Sequence, residues 1–134
     1  QGPAFLDLFL RAVGIAGLDT TRDVRVATEV GTAFLPSARR IDVVVEVGGT
    51  GIGIENKPWA PDQDAQLADY ARQLRARYGD GRYHLVYLSG SGGPPASLPE
   101  ADRARLVAAG RFHQLDYHPG LMRWLVGCRE RCEA

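Results

Sequence analysis

The chain has 134 residues, of which 45% are hydrophobic and 24% charged, a composition typical of a globular protein with one hydrophobic core. Basic and acidic residues number 16 each, and the resulting net charge of zero argues against a strongly basic surface that binds nucleic acid on its own. The sequence has no apolar run long enough to cross a bilayer and no charged-then-apolar leader, so we expect a cytoplasmic protein without membrane contact.

The hydrophobic pattern predicts one α/β domain over residues 4–134, with the order αβββαβ followed by further helices and strands. Residues 1–3 are interpreted as the remnant of a cleaved tag, and the natural protein could extend beyond both ends. Asp62 or Asp64 is the expected cap of a helix that ends at Tyr78. In chain order the elements are a helix (5–13), three strands (24–30, 40–47 and 51–57), the helix ending at residue 78, a strand (83–88), a loop (89–99), a helix (101–109), a strand (112–117) and a helix (121–132).

The second and third predicted strands are joined by Gly48-Gly49, a pair typical of a two-residue hairpin turn. In such a hairpin Asp42 lies directly opposite Glu55, with Cβ atoms about 4.5–5.5 Å apart. Because side chains alternate along a strand, Lys57 shares the face of Glu55. A shift of the pairing by one residue would break this arrangement.

Two opposed carboxylates repel one another, and beside a lysine they favour binding of a cation between them. Hard oxygen ligands prefer Mg²⁺ or Mn²⁺, and such an ion activates water and stabilises charge on a phosphoryl oxygen. Lys57, the only lysine in the chain, could position or deprotonate the attacking water. Gly51 and Gly53 lie on the same face and are expected to leave it open to a ligand or to another backbone. The alternative is a hairpin whose charged side chains lie in solvent.

The helix after the hairpin carries Gln66 and Tyr70 four residues apart, and therefore on one face. This face is expected to lie next to the apolar stripe of Leu67, Ala71 and Leu74, but to be distinct from it. Gln66 and Tyr70 could contact a phosphate or orient the catalytic groups. The alternative is a surface glutamine and a tyrosine half-buried against the sheet.

Together, the segments RRIDVVVEV, GIGIENKPW and DAQLADYARQL resemble the PD-(D/E)XK nuclease superfamily. They look most similar to its branch with a Gln-x-x-x-Tyr helix, shared with RecB-type and lambda-exonuclease-like enzymes. The resemblance covers residues 28–74 and implies a restriction-endonuclease-like core, a central mixed sheet flanked by helices. It also implies metal binding by Asp42, Glu55 and the Asn56 carbonyl, with Lys57 as the catalytic lysine and Gln66 and Tyr70 as the supporting pair.

The sequence departs from the family pattern at two places. Ile41 stands where a proline usually precedes the first acid. Many members carry a glutamate on the first helix, where this chain offers only Asp7. The equivalent acid could lie upstream of the sequence, or Glu29 on the first strand could serve as an outer metal ligand. The alternative for Glu29 is a surface strand residue.

Basic and aromatic residues near these motifs are candidates for contact with nucleic acid. Arg39, Arg40 and Arg72 could guide the phosphate backbone, and Trp59 could stack on a base or ribose or plug the strand end. Other candidate residues are interpreted as structural: Arg75 and Arg77 favour the helix dipole, His84, His113 and His118 lack ligand spacing, and Cys128 and Cys132 are expected to be reduced thiols.

The function predicted from these motifs is hydrolysis of phosphodiester bonds in DNA by a metal-activated water. One alternative is a non-catalytic, nuclease-like module that binds nucleic acid or a protein partner within a larger defence or repair protein, as the zero net charge would allow. RNA cleavage is another alternative, because fold does not determine substrate. From the habits of the family we expect a bacterial enzyme of DNA repair or phage defence. Endonuclease or exonuclease action, a homodimer partner and further domains stay open.

Overall fold

The computed structural model describes residues 2–31, 40–57, 66–90 and 93–134, and for residues 29–31 it describes the backbone alone. The predicted order of helices and strands is confirmed, and every helix within these residues is too short or too polar to cross a membrane. Gly2 and Pro3, interpreted as part of a tag, lie in the first turn of the first helix. The elements are α1 (Gly2–Val13), β1 (Val24–Gly31), β2 (Arg40–Val47), β3 (Thr50–Lys57), α2 (Gln66–Tyr78), β4 (Tyr83–Ser89), α3 (Glu100–Ala108), β5 (Phe112–Asp116), a turn (Tyr117–Leu121) and α4 (Met122–Glu133).

The five strands form one mixed sheet in the order β1-β2-β3-β4-β5. Strand β2 is antiparallel to both of its neighbours, β1 and β3, whereas β4 pairs in parallel with β3 and β5 pairs in parallel with β4. The β2–β3 hairpin turns at Gly48 and Gly49, whose φ angles of 55° and 83° are both left-handed and favour glycine. Its pairs run from Val47↔Thr50 to Val43↔Ile54, which confirms the predicted register.

Helices cover both faces of the sheet, and each face has its own buried cluster. On one face α2 and α3 pack on β2, β3, β4 and β5, and on the other face α1 packs on the same sheet with α4 beside it. Burying apolar area on both faces is what stabilises a mixed sheet of this kind. The cluster on the α2 side includes Ile41, Val44, Leu67, Tyr70, Leu74, Leu85 and Phe112, and the cluster on the α1 side includes Phe9, Val13, Val45, Ile52, Val86 and Leu88.

Of the two expectations for the glycines of β3, the close approach of another element is found, and a face left open to a ligand is not. A Cβ atom built on Gly53 would lie 2.8 Å from Leu74 Cδ1, and one built on Gly51 would overlap the ring of Tyr78. Both side chains belong to α2, so the missing side chains on β3 let this helix approach the sheet closely. The glycines therefore position α2, and with it Gln66, relative to the end of β3.

Candidate active site

The C-terminal end of β3 brings the predicted acidic residues together. Continuing the hairpin register by one residue places Asp42 opposite Glu55. Glu55 faces α2 and is only 2% exposed, whereas Asp42 is partly exposed. Asp42 Oδ2 accepts a hydrogen bond of 2.9 Å from the main-chain N–H of Asn56. The two carboxylates thus lie on neighbouring strands at the C-terminal end of β3, as the hairpin geometry predicts.

The two oxygens of the Glu55 carboxylate have different surroundings. Lys57 Nζ lies 3.3 Å from Oε1, and Gln66 Nε2 donates a hydrogen bond of 3.2 Å to the same oxygen. Oε2 is buried and has no hydrogen-bond partner among the residues that the structure describes. A buried carboxylate oxygen without a partner is costly, which makes Oε2 a candidate ligand atom for a cation.

A chain of hydrogen bonds fixes Gln66. Its Nε2 donates to Tyr70 Oη at 2.8 Å as well as to Glu55, and Tyr70 Oη donates to the Arg40 carbonyl at 2.7 Å. Because both amide hydrogens are used, the network also assigns the orientation of the amide group. Tyr70 is fully buried in one cluster with Leu67, so the expectation of a face distinct from the apolar stripe is wrong for Tyr70. Gln66 is also buried, at 5% exposed, so the alternative of a surface glutamine and a half-buried tyrosine is wrong as well. The orienting role is the one that the contacts support.

Burial and like charge act together on Glu55. Burial first, and then the negative charge of Asp42, raise its pKa from 4.5 to about 7, although the nearby Lys57 ammonium acts in the opposite direction. The raised pKa means that the described protein groups stabilise the ionised form of Glu55 less well than water does. A cation beside the two carboxylates would favour their ionised forms.

The donor set fits a hard divalent cation. Asp42 and Glu55 supply two carboxylates with one buried, unpartnered oxygen, and Mg²⁺ is commonly bound by one or two carboxylates while it keeps several waters. Among the residues that the structure describes, no group of three or more His, Cys, Asp or Glu side chains could hold a metal. The carboxylate oxygens of Asp42 and Glu55 are hard ligands, which suit an oxygen-preferring ion.

Three further residues are candidate acidic or oxygen ligands, and the side chains of two of them, Asn56 and Asp7, have surroundings that differ from those of Asp42 and Glu55. Asn56 follows Glu55, and its side chain is exposed and accepts a hydrogen bond from Tyr117 Oη. Asp7 on α1 accepts a hydrogen bond of 2.7 Å from Thr20 Oγ1, which ties the helix to the segment before β1. The backbone of Glu29 belongs to β1, but its side chain lies outside the described part of the chain.

Two of the four candidate nucleic-acid contacts, Arg40 and Arg72, lie within the described residues. Arg40 is exposed at the start of β2, next to Asp42. Arg72 is exposed, forms an ion pair with Asp69, and lines a groove of about 400 Å³ between α2 and α3 together with Arg75 and Arg105. Arg39 and Trp59 lie outside the described residues.

The arginines and cysteines that sequence reasoning assigned to structural roles are also placed by the structure. Arg75 and Arg77 form ion pairs with Asp80 and Glu46, in addition to their position at the end of α2. Cys128 and Cys132 are free thiols on α4.

Sequence reasoning missed two polar contacts that involve residues far apart in the chain. His84 Nδ1 and His113 Nε2 are 2.8 Å apart, on the neighbouring strands β4 and β5. Burial lowers the pKa of His84 to about 4, so this ring is neutral near pH 7, and burial also lowers the pKa of His113. The second contact is the one between Tyr117 and Asn56. Local spacing cannot reveal either contact, because both depend on the order of the strands.

Comparison with known proteins gives one result. The model of a family described as the PD-(D/E)XK nuclease superfamily matches residues 1–134, the whole sequence. No curated protein and no solved structure matches the chain. Nucleases of this superfamily generally use divalent metal ions.

Proposed function

Because the chain belongs to the PD-(D/E)XK nuclease superfamily, we propose that it hydrolyses phosphodiester bonds in DNA with the help of Mg²⁺ or Mn²⁺. The observation that carries this proposal is the pairing of Asp42 with a buried Glu55 whose Oε2 has no partner within the described residues, beside the Lys57 ammonium. DNA is the favoured substrate, and the proposed role is in bacterial repair or defence.

The metal ion would be held by the carboxylates of Asp42 and Glu55. The main-chain carbonyl of Asn56 is a further candidate ligand, and Glu29 is a candidate outer ligand from the neighbouring sheet edge. A divalent ion bound there lowers the pKa of water and stabilises negative charge on a phosphoryl oxygen. The raised pKa of Glu55 supports this arrangement, because cation binding offsets the repulsion from Asp42.

Lys57 supplies positive charge without taking up a ligand position. Its ammonium lies 3.3 Å from Glu55 Oε1 and is 16% exposed, so it is reachable from solvent yet shielded from much of the solvent screening. From this position it can hold the attacking water or neutralise charge that develops on the phosphate. Its pairing with Oε1 leaves Oε2 for the cation.

Gln66 and Tyr70 act through Glu55 and not on the substrate. Gln66 donates to Glu55 Oε1, and Tyr70 fixes Gln66 while its own hydroxyl donates to the Arg40 carbonyl. This network restricts the rotamer of Glu55 before any ligand binds, which lowers the cost of organising the site. Phosphate contacts are assigned instead to the exposed side chains of Arg40 and Arg72, and Arg39 and Trp59, which lie outside the described residues, stay candidates from the sequence alone.

The proposal is tested by incubating linear DNA, circular DNA and RNA with the protein in Mg²⁺, Mn²⁺ or EDTA. Lys57→Ala is the test variant. Arg75→Ala is the matched control, because it also removes an exposed cation, one that is paired with Asp80 at the far end of α2. We expect metal-dependent cleavage of DNA that is lost in Lys57→Ala, by at least about 100-fold, and kept in Arg75→Ala.

Each outcome has a distinct meaning. Cutting of circles identifies an endonuclease, and cutting of RNA alone overturns the choice of DNA. If neither nucleic acid is cut with any metal, but Mn²⁺ raises the melting temperature, the non-catalytic module is favoured.

A further inference from the structure

The last three residues of β3 are held differently from the rest of the strand. The described antiparallel pairs with β2 run from Val47↔Thr50 to Val43↔Ile54, whereas parallel pairing with β4 continues to Lys57↔Ser89. On the β2 side, the main-chain N–H of Asn56 donates instead to the Asp42 carboxylate. At the end of β3 that carries the candidate site, the Asp42 carboxylate therefore accepts the hydrogen bond that a main-chain carbonyl of β2 would otherwise accept.

A second hydrogen bond restrains Asn56, and its donor lies on the opposite face of the sheet. Its side-chain oxygen accepts a hydrogen bond from Tyr117 Oη, across 61 positions of sequence. Tyr117 opens the turn after β5 and packs against the buried cluster on the α1 side. Asp116 Oδ1 caps this turn by accepting the N–H of Gly120 at 2.7 Å, so the tyrosine extends from a well-fixed segment. Asn56 is thus fixed through its main chain by Asp42 and through its side chain by Tyr117.

The orientation of this one residue affects its neighbours on both sides. Glu55 and Lys57 flank Asn56 and both project towards the Oε1–Nζ contact of 3.3 Å. A rotation of the Asn56 backbone would turn these two side chains relative to each other and would also release Asp42, whose carboxylate bonds the Asn56 N–H. Groups held in the bound geometry before binding lose less entropy when a ligand arrives.

We propose that Tyr117 is a positioning residue for the metal site, which acts by holding Asn56 so that Asp42 and Glu55 keep the geometry that takes a divalent cation. This inference rests on the proposed function. Tyr117 does not contact the cation or the substrate in this role, and its whole effect passes through the Asn56 side chain.

The test measures Mn²⁺ binding by calorimetry, without any nucleic acid, for the wild-type protein and Tyr117→Phe. Loss of one hydrogen bond is expected to weaken binding about fivefold. Tyr78→Phe is the matched control, because it also removes a hydroxyl hydrogen bond, of 2.6 Å to Glu46, near the hairpin turn at the other end of the strands. It should leave Mn²⁺ affinity unchanged.

Asn56→Ala provides the second arm. If Tyr117 acts only through Asn56, adding Tyr117→Phe to Asn56→Ala should weaken binding no further, whereas a general structural effect would weaken it again. Hydrogen exchange at the Asn56 main-chain N–H, measured in the metal-free protein, gives a readout independent of the metal. It should accelerate about fivefold in Tyr117→Phe and not in Tyr78→Phe.

The results separate the inference from the proposed function. Unchanged Mn²⁺ affinity in Tyr117→Phe, or an equal loss in the Asn56→Ala background, would overturn the positioning role. Binding by the wild type that is lost in Glu55→Gln would still support the metal site in that case. A wild-type protein that binds no Mn²⁺ would overturn the proposed function, and this inference with it.

Discussion

Replacing Glu55 by glutamine is expected to stabilise the metal-free protein at alkaline pH, because the ionised carboxylate lies in an unfavourable environment. Glu55 is 2% exposed, and burial together with the charge of Asp42 raises its pKa from 4.5 to about 7. When the pKa of an acid is higher in the folded state, the unfolded chain loses the proton first as pH rises. The free energy of unfolding therefore falls between about pH 4.5 and pH 7 and stays low above that range.

The size of the effect follows from the two pKa values. The difference between 4.5 and about 7, at about 1.4 kcal/mol for each pKa unit, amounts to about 3 kcal/mol at pH 8 and to less than about 1 kcal/mol at pH 5. Glutamine removes this cost but also removes the ion pair with Lys57. We therefore expect Glu55→Gln to gain about 1–3 kcal/mol at pH 8, which corresponds to an increase in melting temperature of roughly 4–12 °C for a chain of this length.

The assay is thermal and urea unfolding at pH 5 and pH 8, in EDTA and in Mn²⁺. Glu46→Gln is the control, because this carboxylate on β2 is already paired with Arg77 and accepts a hydrogen bond from Tyr78. It should lose a little stability at both pH values and keep the response to Mn²⁺. In Glu55→Gln the stabilisation by Mn²⁺ should disappear. If Glu55→Gln were less stable than the wild type at pH 8 in EDTA, the reasoning about the buried charge would be refuted.

Two further predictions concern the sheet. Burial and the neighbouring His113 lower the pKa of His84 from 6.5 to about 4. As pH drops through this range, His84 binds a proton in the unfolded chain before it does so in the folded state. The free energy of unfolding should therefore fall by roughly 3 kcal/mol between pH 6.5 and pH 4. His84→Gln should flatten this dependence in urea unfolding, and an unchanged slope would contradict the assignment. Gly53→Ala should destabilise the fold by about 1–3 kcal/mol, because its Cβ would lie 2.8 Å from a methyl carbon of the buried Leu74. Gly127→Ala in α4 is the matched control, because its Cβ would lie at an ordinary contact distance of 3.7 Å from Leu8 Cδ1 of α1, and it should be neutral or slightly stabilising in the same assay.

The sequence was sufficient to predict the hairpin and the position of its acids. Two consecutive glycines between alternating strands specify a two-residue turn, and that turn determines which residues face one another. The pairs Val47↔Thr50 and Val43↔Ile54 are those required to bring Asp42 and Glu55 together. Such a prediction works because register is a local property once the turn type is known.

The sequence was not sufficient to predict what covers the site. The roles of Gly53 and Tyr70 depend on where α2 crosses the sheet, and a helical pattern gives the faces of a helix but not its position. The contacts of His113 and Tyr117 depend on β5 lying parallel to β4, at separations of 29 and 61 residues from their partners. Pairing across such distances is decided by tertiary packing, and residue spacing along the chain carries no record of it.

Glu55 and Gln66, which are hydrogen-bonded to each other, both have a buried oxygen atom without a partner in the described part of the chain, and Glu55 in addition carries a charge in an unfavourable environment. Within the described residues, Glu55 Oε2 and Gln66 Oε1 are buried without a partner, although Gln66 Nε2 makes two hydrogen bonds. By contrast, the carboxylate of Glu46 on the neighbouring strand is paired with a cation. A water molecule could donate to Glu55 Oε2, but it would leave the repulsion from Asp42 in place. A divalent cation would remove both costs at once, and for this reason we propose a metal ion at this end of β3 in preference to a bound water alone.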